Sequence, residues 1–205
     1  MSRTAEHWND RYRTGNLPWD TRRPEPLFIE RIPELNCPTR RAIDLGCGAG
    51  DSTTWLAEHG FEAIGLDVSS VAVDMARGRA AERGVTGCRF ECASITQPLP
   101  VEAGSVGLAI DRGCYHAIDE ADREHYVNHL AEAMAPGAWW LLMCGNADED
   151  RAADAVGPPQ LNAAQIVDPT TGRFELHSLS RAHLAGSDND EPEHLAWLAM
   201  FRRRG

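Results

Sequence analysis

At residues 41–50 the chain runs from a short, largely apolar stretch, Arg41-Ala42-Ile43-Asp44-Leu45, into three alternate glycines, Gly46, Gly48 and Gly50, and then into a helical pattern opened by Asp51. Nothing else in the sequence restricts the fold as much. An apolar run of this length that stops at glycines reads as a buried strand of a parallel sheet, covered on both faces. Glycines at its carboxyl end let the backbone touch a ligand lying across the sheet edge, where a side chain would hold it off. The helix that follows is expected over Asp51–Glu58, capped by Asp51 or Ser52, with Trp55 and Leu56 turned inward and Gly60 just past its end.

The rest of the chain repeats this alternation. Residues 61–67 read as a second strand, and Ser69 or Ser70 caps a helix running toward Gly84 with Val71, Ala72, Met75 and Ala76 on one face. Cys88-Arg89-Phe90-Glu91-Cys92 alternates at period two, and residues 106–110 form a buried strand that stops at Asp111. Asp119 and Asp122 open a helix with Tyr126, Val127, Leu130 and Met134 at helical spacing; Pro136-Gly137 ends it, and 139–143 is a fifth strand. Then come a Gly/Pro/Asp-rich loop (146–159), a short helix near 161–166, and strands at 174–180 and 194–201, joined by a short turn as an antiparallel hairpin at the sheet edge. Strands alternating with helices demand a mostly parallel sheet with helices on both faces. The expected fold is therefore a three-layer, Rossmann-like α/β domain with a mostly parallel seven-stranded sheet. The 205 residues suit one domain. Its parts are an N-terminal arm (1–36), a ligand-binding core (37–145), and a substrate-side loop with the terminal hairpin (146–205).

Charge and composition narrow the partners. With 20 Lys plus Arg against 31 Asp plus Glu the net charge is −11, which repels phosphate backbones and anionic lipids, so neither a nucleic acid nor a membrane is an expected partner. The longest apolar run, 138–144, is strand-sized, whereas crossing a bilayer takes roughly 20 residues. The first twenty residues carry no apolar block of the secretory kind. Six cysteines, Cys37, Cys47, Cys88, Cys92, Cys114 and Cys144, are scattered without a C-x-x-C pair. A cytoplasmic protein with reduced thiols is expected.

The glycine pattern narrows the ligand. A dinucleotide site wants G-x-G-x-x-G, but the third glycine falls at Gly50 and Asp51 stands where it is needed. An acid at a helix start also opposes a pyrophosphate. Asp67 ends the second strand, where a carboxylate can accept hydrogen bonds from both ribose hydroxyls. A nucleoside ligand without phosphates points to S-adenosylmethionine, with a nicotinamide-dependent oxidoreductase and a noncatalytic adenosylmethionine-binding regulator as alternatives. The stretch from Asp44 to Ser69 resembles the first two motifs of class I S-adenosylmethionine-dependent methyltransferases, which implies their three-layer fold. Trp8-x-x-Arg11-Tyr12-x-x-Gly15-x-x-Pro18-Trp19-Asp20, followed by Arg23-Pro24-Glu25-Pro26, resembles the arm of the thiopurine S-methyltransferase, tellurite-resistance and halide/thiol methyltransferase group. Asp111-Arg112-Gly113-Cys114-Tyr115, with Asp122-Arg123, is similar to the post-strand motif of thiopurine S-methyltransferase. The resemblance implies that Gly46 and Gly48 approach the methionine and ribose parts, that Asp67 holds the ribose, that Asp111 lies near the methionine ammonium through its backbone, and that Trp19 closes over the cofactor. It adds Asp44 and Val68 to the cofactor-binding set. Where the group carries an Asp for the adenine amino group, this chain reads Cys92-Ala93-Ser94-Ile95, so Ser94 or the backbone at Ile95 takes that part. Val106-Gly107 replaces an aromatic-Asp pair.

Methyl transfer from a sulfonium is an in-line displacement, so the protein chiefly holds nucleophile, carbon and leaving sulfur in line in a dry site. A thiol or other soft anion attacks in its ionised form, whereas an alcohol or amine wants a base. The expected acceptor is a small molecule, a thiol or other soft nucleophile; the alternative is O- or N-methylation of a small secondary metabolite. Arg112 is the candidate to hold the acceptor, against an ion pair with Asp20 or Asp111, and His116 is the candidate base. Cys114 reads as core-lining. His125 and His129 stand at i, i+4 but lack the Glu of a zincin helix, and no metal is expected. Trp8, Tyr12, Trp19 and Phe28 form a lid or a plain hydrophobic clasp, in an arm that Gly15 and Pro18 keep from being helical throughout. His183, after the penultimate strand, is a further candidate for the pocket.

Overall fold

The computed structural model describes residues 4–152, 155–186 and 193–205. Its sheet contains β1 (Arg41–Leu45), β2 (Glu62–Asp67), β3 (Cys88–Cys92), β4 (Val106–Arg112), β5 (Met134–Asn146), β6 (Gln160–Leu161), β7 (Phe174–Leu184) and β8 (His194–Arg203). The order is β3-β2-β1-β4-β5-β8-β7, with β6 paired to β5. β1 to β5 run parallel, and β8 lies antiparallel between β5 and β7. The mostly parallel sheet with an antiparallel edge is as expected, with one strand more than seven. That extra strand is the two-residue β6, which takes Leu161 from the expected short helix; α6 (Ala163–Val167) starts only after Asn162 and Gln165 form a reciprocal capping box.

Helices cover both faces. Tyr126, Val127 and Leu130 of α5 (Glu120–Ala133) pack with Ile43, Leu45, Trp140 and Phe201 on one side. Phe28 of α2 (Pro26–Arg31) and Leu56 of α3 (Asp51–Glu58) pack with Ala42, Leu108, Ile110 and Met143 on the other. α4 (Ser70–Glu82), capped by Ser69, lays Val73, Ala76 and Ala80 on Phe90. Among the described residues no helix is long and apolar enough to cross a membrane.

Other boundaries differ from the sequence pattern. α3 is not capped by Asp51 or Ser52: its N-cap is Gly50 at φ 84°, with no side-chain cap, because the glycine turn itself leads into the helix and Asp51 is already its first residue. Met134, at helical spacing, begins β5 instead, because the strand runs through Pro136-Gly137 in a bulge: register passes from Val106↔Met134 to Leu108↔Trp139. A bulge tolerates a proline without an N–H and a glycine at φ 79°. The arm is not helical throughout: its first helix, α1 (Ala5–Thr14), is capped by the Thr4 hydroxyl and stopped by Gly15 at φ 71°. β7 and β8 both extend beyond their expected ends, and the expected turn between them falls largely at 187–192, outside the described residues.

Candidate active site

β1 and β2 end side by side, Leu45 opposite Leu66, so the glycine loop turns against the end of β2. The N–H groups of Gly46 and Cys47 both donate to the Leu66 carbonyl at 2.8 and 2.9 Å. Gly48 donates its N–H to Asp67 Oδ2 at 3.0 Å, and Ser69 donates to Asp67 Oδ1 at 2.8 Å. The path requires φ of 70° at Gly46 and 53° at Gly48. It also requires space: a Cβ on Gly46 would lie 2.5 Å from Cys114 Cβ, and one on Gly48 would lie 2.8 Å from Tyr12 Oη. The loop is thus held between the turn after β4 and the arm.

Three carboxylates gather at this edge. Asp44 lies buried under the loop and accepts from Thr53 Oγ1 at 2.7 Å; burial raises its pKa to about 7. Asp111, fully buried on the α5 side, accepts from the N–H groups of Cys114 (2.8 Å) and Tyr115 (3.0 Å) and from the Tyr126 hydroxyl (2.9 Å), and burial pushes it to about 7. Burial also raises Asp67, and it lifts the Cys47 and Cys114 thiols well above their ordinary range. With the Val68 N–H also turned to it, Asp67 keeps one of its roughly four lone pairs to accept from a ribose hydroxyl. Carboxyl groups that burial has brought toward neutrality ionise more readily beside a cation, so the edge suits a cationic ligand.

The arm closes one side. Buried Asn9 accepts from the Ser69 hydroxyl at 2.8 Å, tying α1 to the cap of α4. Trp19 Nε1 donates to Tyr12 Oη at 3.3 Å, and the Trp19 ring meets Trp8 and Tyr12 edge-on at centroid distances of 5.5 and 6.1 Å. The guanidinium of Arg11 lies 4.6 Å from the Trp19 ring. Asp51, an acid that on sequence alone opposes a pyrophosphate, pairs with Arg79 at 2.6 Å, which weakens that opposition.

Arg112 turns to the opposite face of β4 from Asp111. Its Nε donates to Glu25 Oε2 at 2.7 Å, Nη1 to the Trp19 carbonyl at 3.2 Å and Nη2 to the Ala185 carbonyl at 2.9 Å. The alternative to an acceptor-holding Arg112, an ion pair with Asp20 or Asp111, is not formed; an ion pair with Glu25 is, because strand alternation turns Asp111 away and Arg79 takes Asp20. Two of the five N–H bonds of Arg112 remain. His116 Nδ1 accepts the Gly145 N–H at 3.0 Å, which places the proton of the neutral ring on Nε2 and occupies its one ring lone pair.

The turn after β3 sits beside Asp67, whose carbonyl accepts from Ala93 at 2.9 Å. Ser94 Oγ lies 2.9 Å from Thr96 Oγ1, Ile95 is buried, and the Val68 carbonyl accepts from Cys92 Sγ. Most of the residues expected from sequence thus meet at the carboxyl ends of β1 to β4. His183 lines, together with Arg23, Glu25, Arg31 and Arg112, a cavity of about 370 Å³ on the α2 side, so it shares the Arg112 end of the site rather than the glycine loop. Sequence reasoning missed Asn9, Glu25, Thr53, Arg79 and Tyr126 as supports. Asn9, Glu25 and Arg79 meet partners 60, 87 and 59 residues away, a separation no local pattern signals.

A family model described as thiopurine S-methyltransferase matches residues 3–198. The chain is 31% identical over 189 residues to 2-heptyl-1-hydroxyquinolin-4(1H)-one methyltransferase of Mycobacteroides abscessus, covering 90% of this chain and 81% of that one. It is 26% identical over 174 residues to a thiopurine S-methyltransferase of Bordetella petrii, covering 76% of this chain and 75% of the relative. Its fold matches a structure solved in work on conversion of a disulfide bond into a thioacetal group during echinomycin biosynthesis, with a TM-score of 0.84, 23% identity, and coverage of 98% and 91% of the two chains.

Proposed function

Because the chain belongs to the thiopurine S-methyltransferase family and is an S-adenosylmethionine-dependent methyltransferase of small molecules, we propose that its acceptor is one whose attacking atom ionises readily. A thiol is the first such class. The N-hydroxy heteroaromatic class named in the Mycobacteroides abscessus relative is the second. The observation that carries this reading is that the groups able to take a proton beside the cofactor loop are already engaged, Asp44 by Thr53 beneath the loop and Asp67 by the Gly48 and Ser69 N–H groups. His116 has its lone pair on the Gly145 N–H, Asp111 is saturated by backbone and Tyr126 donors, and the Cys47 and Cys114 thiols are held protonated. An acceptor that brings its own anion needs no base.

The site fits the cofactor. At Gly46 and Gly48 a Cβ would strike Cys114 and Tyr12, so only glycine backbone can follow this path beside the ligand, and Asp44 and Asp111, which burial raises to about 7, would ionise in favour of a sulfonium and an ammonium. Bound S-adenosylmethionine supplies a methyl carbon whose sulfur leaves as a neutral thioether when the acceptor attacks in line. Asp67 would hold the ribose, Gly46, Gly48 and Val68 would present backbone, and Ser94 or the Ile95 backbone would take the adenine edge. The fields of Asp44 and Asp111 favour the cationic end. Trp19 and Tyr12 exclude water from one side, and the two remaining N–H bonds of Arg112 steady the acceptor anion.

The test is an acceptor series of graded acidity, assayed with His116→Gln, which still accepts the Gly145 N–H but takes no proton. The expected kcat/KM rises with pH toward each acceptor's own pKa, near 8.5 for an ordinary thiol at about 25 °C, and His116→Gln keeps most activity. A profile indifferent to acceptor acidity, with His116→Gln losing about 10²- to 10⁴-fold while still binding cofactor, establishes base-assisted O- or N-methylation instead.

A further inference from the structure

We propose that Arg79, on α4 and outside the cofactor loop, is a positioning residue: its guanidinium is the charge that holds the arm closed over that loop. The inference rests on reading the arm as a lid. One face of the fork takes the arm, with Nη2 2.6 Å from Asp20 Oδ2 and Nη1 3.1 Å from Asp20 Oδ1. The same Nη1 reaches Asp51 Oδ2 at 2.6 Å. Asp51 is the first residue of α3, directly after Gly50, so the lid is fastened to the exit of the glycine loop itself.

Position in the chain turns this fastening into a control on Trp19. Asp20 is the next residue, and the Trp19 carbonyl is already held by Arg112 from β4. The peptide is thus gripped from both flanks, by Arg112 through its backbone and by Arg79 through the neighbouring side chain. Between the grips the Trp19 ring lies on Tyr12, whose hydroxyl faces Gly48. Arg79, Asp20 and Asp51 retain only 19%, 12% and 16% of their side-chain exposure, so these pairs are shielded well beyond ordinary surface ion pairs. Burial works against ionisation of Asp20, yet the Arg79 hydrogen bonds and charge bring its pKa below the usual value. Burial raises Asp51, with Arg79 acting against it. Arg83, 3.9 Å from Asp51, and Arg22, beside Asp20, add positive charge, but of the three only Arg79 bonds both acids and so separates them across the lid seam. Removing it leaves repulsion, not merely a missing bond.

The repulsion makes the idea testable by rescue. Arg79→Gln is expected to raise the dissociation constant and KM for S-adenosylmethionine by about tenfold, with a much smaller change in acceptor KM. Adding Asp51→Asn to Arg79→Gln recovers much of that loss by removing one of the two facing acids. Arg79→Lys, which keeps the charge but cannot bridge two carboxylates as a planar fork, falls between native and Arg79→Gln and serves if the glutamine variant folds poorly. Trp19→Ala is the control for the lid. If Trp19→Ala binds cofactor weakly while Arg79→Gln and Arg79→Lys bind it as the native chain does, the clamp is wrong and the lid stands. If Trp19→Ala binds as the native chain does, the lid reading itself fails and takes the clamp with it. A loss in Arg79→Gln that Asp51→Asn leaves untouched overturns the charge argument.

Discussion

Burial pushes both Asp44 and Asp111 up to about 7, and the sign of the consequence follows directly. Between roughly pH 4 and 7 the folded chain binds more protons at these groups than the unfolded chain, so their contribution to stability is complete below that window and is lost as pH rises through it. The melting temperature of the ligand-free protein should show this decline, and Asp44→Asn should flatten it. A cationic ligand reverses the preference by favouring the ionised carboxylates. Cofactor binding is therefore expected to expel protons and to tighten from about pH 6 to 8, more steeply than binding of the demethylated product, which lacks the sulfonium charge. Calorimetry in two buffers of different ionisation enthalpy counts those protons, and equal release by both ligands would refute the electrostatic account. Asp67 does two jobs, bracing Gly48 and Ser69 and facing the ribose position. Asp67→Ala should accordingly weaken cofactor binding by about 2–4 kcal/mol and also lower the melting temperature, whereas Asp67→Asn keeps an acceptor and spares more of the fold. Unchanged affinity in a folded Asp67→Ala would place the ribose elsewhere.

The elements divide by how far their information travels along the chain. β1, the helix over Asp51–Glu58 and the Ser69 cap were legible because an apolar run, a glycine stop and a capping hydroxyl all act within a few residues. Met134 was misassigned because its spacing is helical while its fate is set by pairing with Val106 on β4. The same division runs through the site. The glycine loop and Asp67 form one local motif, but the roles of Asn9, Glu25 and Arg79 exist only once the arm has docked. The contact between the loop and the post-β4 turn gives a prediction at this scale. Gly46→Ala drives a methyl into Cys114 Cβ at 2.5 Å from a positive φ, and should cost about 1–3 kcal/mol in denaturant unfolding. Cys114→Gly should return part of it, and additive losses in the double variant would mean that strain, not crowding, dominates. The arm supplies another: amide exchange across α1 should slow when cofactor binds, while α5 on the far side of the sheet changes little. Equal protection of both helices would argue against a lid.

For the molecule as a whole, a ligand that binds only the native state adds RT ln(1 + [L]/Kd), about 2.7 kcal/mol at a hundredfold excess over Kd. S-adenosylmethionine and its demethylated product should both raise the melting temperature visibly, and NAD should not; stabilisation by NAD alone would contradict the cofactor assignment. The sheet order has a different consequence, for synthesis. β8 follows β7 in the chain but lies between β5 and β7, so a nascent chain that has emerged as far as β7 has nowhere to place it. Until residues 194–203 leave the ribosome, β5 presents a bare edge, and the Ala185 carbonyl that helps fasten Arg112 follows directly on a strand, β7, that has no neighbour. The active enzyme therefore arrives only once β8 has been made rather than growing in gradually. A chain cut short before β8 is not a weaker catalyst but an open-edged sheet, ready to pair with its neighbours and aggregate.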